Sequence, residues 1–179
     1  MVKDTVDSFS LVSRLFHWVI ALMVVGMLLG GLFVGFLPRG AFKSLVVDLH
    51  RSTGFVILVL MALRLWWRSV NPRPKDLGPN AFENQIGRLM HIFLYILVFL
   101  QPLFGILMSQ AFGSQVSVFG LFTLPAVLPK NPAVGSVFSQ MHSITALLLA
   151  ISVAIHAAAA LKHHYIDRDR TLVRMISGK

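Results

Sequence analysis

The sequence predicts an all-α integral membrane protein: a four-helix transmembrane bundle with both termini cytoplasmic. Three observations carry this. Apolar residues make up 56% of the 179-residue chain and charged residues only 13%. A soluble domain carries more charge and breaks its apolar runs more often. The apolar residues also gather into four long runs, and Lys and Arg fall mainly between them.

The runs lie near residues 15–36, 45–67, 86–109 and 137–161. Each has the roughly 20 residues needed to cross about 30 Å of hydrocarbon. The first is too long for a signal peptide, and no small-residue cleavage site follows it. The stretch 110–136 is rich in Gly, Pro and Phe and is expected as an interfacial loop or cap. No soluble domain is expected, so residues 1–179 form one transmembrane domain in contact with membrane lipid. Cysteine is absent. That excludes disulfides, cysteine-ligated iron–sulfur clusters and a covalent c-type haem.

The net charge of +9 does not point to nucleic acid, because the cations flank membrane spans. They set the orientation instead. One side holds only Arg39, Lys43, Arg51 and Lys130. The other holds the rest, from Lys3 and Arg14 through Arg64, Arg68 and Arg88 to Arg174 and Lys179. The richer side is expected in the cytoplasm. In a bacterium this makes a multi-pass inner-membrane protein, with loops one and three facing outward.

Histidines stand inside these apolar runs. His142 and His156 are 14 residues apart in the fourth run. At about 100° and 1.5 Å per residue they share one helix face, within about 40° and roughly 21 Å apart along the axis. Depth then sorts the others. His17 starts the first helix on the cytoplasmic side, level with His156. His50 starts the second helix on the outer side, level with His142. One histidine pair is expected in each leaflet, with the fourth helix serving both.

A flat apolar porphyrin between two neutral imidazoles fits such a pair, so haem b is the expected cofactor and the four histidines the expected iron ligands. A closed zinc site wants four ligands at one level. Gly26, Gly30, Gly31, Gly54 and the alanines 157–160 leave room for a macrocycle or for close helix packing. Arg51 beside His50, and Arg14 and Lys162 near the inner pair, are candidate propionate partners. His91, one turn into the third helix, is placed to compete as a ligand or to hydrogen-bond a propionate or quinone. His163 and His164 lie at the inner surface, where either can be solvated or can serve a quinone head group as proton donor.

Several stretches resemble the prokaryotic cytochrome b561 family. They are "SRLFHW" opening the first helix, His50 followed by Gly54, "LMHIFLYILVFLQPLFGILM" in the third, and "HSITALLLAISVAIHAAAALKHHYIDRDRTLVRMI" from His142 onward. The resemblance covers nearly the whole chain. It implies two haem b groups, the outer held by His50 and His142 and the inner by His17 and His156. It also implies that the third helix supplies no ligand, that ubiquinone accepts electrons at one end, and that superoxide donates them at the other. Arg39, Lys43 and Arg51 make the outer mouth basic, which suits a small anion or, equally, interface anchoring. Lys162, His163, His164 and Arg14 form a polar rim at the inner end that suits a quinone carbonyl. The alternative is a membrane anchor relaying electrons between a separate redox partner subunit and quinone.

Overall fold

A computed structural model describes residues 3–178; Lys179, one of the cations counted above, lies outside them. The described residues are all-α apart from one small hairpin. Among the described residues four helices are long and apolar enough to cross a membrane. They are α1 (Leu11–Phe36), α2 (Ala41–Ser69), α3 (Ala81–Ala111) and α4 (Pro132–Tyr165), followed by a short α5 (Thr171–Ile176). Consecutive long helices pack against each other, whereas α1 and α4 meet only sparingly.

Every long helix starts before its apolar run, and capping side chains set the starts of α1, α3 and α4. Ser10 caps α1, its Oγ accepting from the Ser13 N–H at 3.2 Å. Behind it the buried Asp4 carboxylate accepts from Ser10 N–H and Ser13 Oγ, each at 2.7 Å. A carboxylate there also complements the positive end of the helix dipole. Asn80 and Glu83 cap α3 reciprocally. Asn131 caps α4, with Pro132 in the first turn, where its missing N–H costs nothing. At about 1.5 Å per residue, the 34 residues of α4 outrun the hydrocarbon thickness and carry its last turn into the polar interface.

The core is a layer at mid-height. Ile20 and Val24 of α1, Ile57 and Met61 of α2, Leu97 and Val98 of α3 and Leu149 of α4 form one buried cluster. Leu149 is seven residues from both His142 and His156, on their face of α4. The layer therefore separates the two histidine levels. Large apolar side chains such as Leu22, Leu32 and Leu147 point outward, as the lipid side of a span requires.

Of the expected loop 110–136, residues 112–131 form a cap, while 110–111 end α3 and 132–136 open α4. Strands β1 (Ser117–Val118) and β2 (Phe122–Thr123) pair antiparallel and lie against α2. Ser52 Oγ accepts from Phe119 N–H at 2.9 Å and is 3.1 Å from the Ser117 carbonyl. The Gln110 amide donates to the Pro125 carbonyl and accepts from Val127 N–H. Irregular backbone near a membrane needs such partners.

At the opposite end α5 packs against the N-terminal segment and the second loop. Arg174 is buried and donates to the carbonyls of Lys75 at 2.9 Å and Val6 at 3.4 Å. Trp18 Nε1 donates to the Met175 carbonyl at 3.0 Å. The N-terminal segment, the second loop and the C-terminal tail thus form one polar plate.

Candidate functional site

The structure brings the four histidines together in the same two pairs that depth gives. Near the hairpin end, the rings of His50 and His142 are 6.3 Å apart with planes at 74°. Near the termini end, those of His17 and His156 are 6.2 Å apart with planes at 70°. A metal–nitrogen bond of about 2 Å on each side, plus roughly one ångström from each nitrogen to its ring centre, gives a similar separation.

The hairpin-end pair opens on a largely apolar cavity of about 530 Å³, lined by Met27, Leu28, Gly31, Gly54, Gly105 and Leu149 among others. That is within the usual range for a ligand pocket. Two glycines leave room for the rings, Gly105 the more closely. A Cβ on Gly105 would stand 3.1 Å from His142 Cε1, and one on Gly31 would stand 3.4 Å from His50 Cε1. The His142 ring is also fixed from behind, since its Nδ1 lies 3.0 Å from the Gln101 carbonyl. A carbonyl only accepts, so Nδ1 carries the proton and Nε2 presents a lone pair, the form a metal ligand needs. The Gln101 amide reaches Nε2 at 3.3 Å and also bonds Thr145.

The termini-end pair has more company. His91 of α3 approaches His156 to 5.2 Å, closer than His17 does. Arg64 of α2 holds a guanidinium nitrogen 3.2 Å from His17 Nδ1. Arg64 and Arg68 both lie 5.6 Å from the centre of the Tyr95 ring.

The expected rim residues are placed as follows. Arg51 lines the hairpin-end cavity, donating to Ser109 Oγ at 3.1 Å and to Asp48 at 3.2 Å. Arg14 lies against Gly178 of the C-terminal tail. Lys162 bridges Glu83 at 2.8 Å and Asp167 at 2.9 Å. His163 Nδ1 contacts Asp169 at 2.6 Å and Asp167 at 3.3 Å, and His164 stacks edge-on against Tyr165. Glu83, His163 and Asp167 could together ligate a cation, but the Lys162 ammonium already bridges the two carboxylates. Burial pushes the Asp169 carboxyl up, yet hydrogen bonds from Thr171 and His163 outweigh it and hold the group below its usual range.

Sequence reasoning misses Arg64, Gln101 and Gly105. In the sequence Arg64 is one cation among many, although a cation inside an apolar run with no acid nearby marks a functional position. Gln101 stands beside Pro102 in a long apolar run, which was a readable signal.

These features define a four-helix bundle of membrane-spanning length whose residues fit a flat, bis-imidazole metal cofactor. The family model for prokaryotic cytochrome b561 matches residues 8–178, and the chain belongs to that family, whose members bind b-type haem. It is 33% identical over 178 residues to "Cytochrome b561 homolog 2" of Escherichia coli (strain K12), covering 97% of this chain and 93% of that protein. It is 32% identical over 172 residues to "Cytochrome b561 homolog 1" of the same organism, covering 95% and 97%. It is 30% identical over 164 residues to "Probable superoxide oxidase CybB" of Yersinia pestis, covering 91% and 92%.

Proposed function

We propose that the chain binds two haem b groups, one between His50 and His142 and one between His17 and His156, and passes electrons across a bacterial inner membrane to ubiquinone. The observation that supports this best is the repeated imidazole pairing, at nearly the same ring separation, on both sides of the Leu149 layer. Both termini lie in the cytoplasm, and the chain is a single domain. When bound, the haems supply the one-electron chemistry. The protein holds the rings, excludes water from the mid-height layer and sets the charge at each mouth.

The donor in this reading is superoxide, in keeping with the printed name of the Yersinia pestis relative. Two superoxide anions give up one electron each and leave as oxygen. Ubiquinone takes the two electrons and two protons and becomes ubiquinol. Arg51, Arg39 and Lys43 make the hairpin-end mouth attractive to the anion. His163, backed by Asp169, is placed to hand a proton to a quinone oxygen at the other end. The test is to pulse the purified chain with superoxide and follow the Soret and alpha bands with and without a quinone. Rapid reduction followed by quinone-dependent reoxidation is expected. A spectrum that ignores superoxide would leave an electron-relay anchor for a separate redox subunit.

A further inference from the structure

We propose that Arg64 is the residue that binds a propionate of the haem at the His17–His156 level. The proposal rests on the dihaem reading above and adds a recognition contact to it.

Arg64 lies within the α2 span, five residues before Ser69 ends the helix. A cation at that depth is costly and needs a partner. Among the described residues it makes no ion pair. Its guanidinium meets His17 Nδ1 at 3.2 Å and the face of Tyr95 at 5.6 Å. The Tyr95 hydroxyl is 3.5 Å from Arg68 Nη1.

The contact with His17 is incompatible with iron ligation. Guanidinium only donates, so Nδ1 must be the acceptor and the imidazole proton must sit on Nε2. If His17 ligates through Nδ1, the metal displaces Arg64 directly. If it ligates through Nε2, the proton moves to Nδ1, and two N–H donors face each other at hydrogen-bond distance. Either way Arg64 loses its acceptor when the site fills, and the α2 span offers it no carboxylate. A haem propionate brings one, in the forked geometry that guanidinium matches.

The cations expected there from the sequence are occupied elsewhere. Lys162 is held between Glu83 and Asp167, and Arg14 lies against the C-terminal tail. Among the described residues Arg68, which shares the Tyr95 ring, has no contact with either imidazole of the pair, so Arg64 remains as the cation that touches a ligand imidazole there. Loading therefore exchanges a guanidinium–imidazole bond for a guanidinium–carboxylate bond.

The test uses the purified full-length chain produced without haem, titrated with haem b or with its dimethyl ester, whose propionates are uncharged. Wild type should take two haem b groups. The one lost in His17→Ala should bind the ester at least about tenfold more weakly than haem b, as loss of a charge-assisted contact implies. Arg64→Met should abolish that preference while the haem lost in His50→Ala binds as before, and Arg64→Lys should keep part of it. The surviving outer haem reports that the variant has folded. Equal wild-type affinity for haem and ester at the inner site, or undiminished preference in Arg64→Met, would overturn the proposal while leaving two haems bound. A wild-type chain that takes up only one haem, indifferent to His17→Ala, would overturn the dihaem reading and this proposal together.

Discussion

Gly105 presents its bare backbone to His142 at a distance where even a methyl group would force the ring to shift. Gly105→Leu should therefore remove most of the haem held by His142 and leave the other in place, as read from difference spectra after reconstitution. His91→Ala should leave both haems bound despite the approach of His91 to His156; a lost inner haem would make α3 a ligand donor. The histidine pairs were legible because topology and helix rise act together. Topology fixes direction, and the helix rise turns position in the run into depth. Arg64 and Gln101 were less legible because their importance depends on neighbours from other helices. A charge count treats Arg64 like any loop arginine, and nothing local says that the Gln101 carbonyl will meet His142.

The starts of α1, α3 and α4 follow capping chemistry rather than the edge of the greasy run. Asn131 and Pro132 start α4 five residues before its apolar stretch begins, and the sequence carried that signal. The hairpin and α5 were not readable, because side chains distant in sequence create them. Ser52 supplies the hydrogen bond that holds the hairpin turn, and Ser52→Ala should cost about 1 kcal/mol of cap stability, measured as faster exchange of the Phe119 amide. The α4–α5 corner depends on Asp169, which accepts from Thr171 N–H at 2.7 Å. Its carboxyl pKa is lowered from 3.8 by folding. The ionised carboxylate thus supports the corner fully above that value, and the support is lost as pH falls through the lower folded value. Exchange at Thr171 should stay slow at neutral pH and quicken in acid. In Asp169→Asn it should be roughly tenfold faster at neutral pH.

At the scale of the whole molecule, two imidazole sites share one bundle with an apolar layer between them. The fold class was fully legible, because four apolar runs of spanning length admit little else. Orientation rests on the unequal distribution of cations. The chain has no cysteine, so single cysteines give clean reports. A membrane-impermeant maleimide applied to intact spheroplasts should label Leu121→Cys on the hairpin and not Ser177→Cys beyond α5. The reverse pattern would invert the topology.

The central claim is that four histidines hold two haems in the pairs His50–His142 and His17–His156. Haem stoichiometry and spectra of the four single alanine variants test it most directly. Wild type should carry two haems per chain and each variant one. His50→Ala and His142→Ala should leave the same spectrum, and His17→Ala and His156→Ala the other. One haem in wild type, or matching survivors in His50→Ala and His156→Ala, would contradict the account.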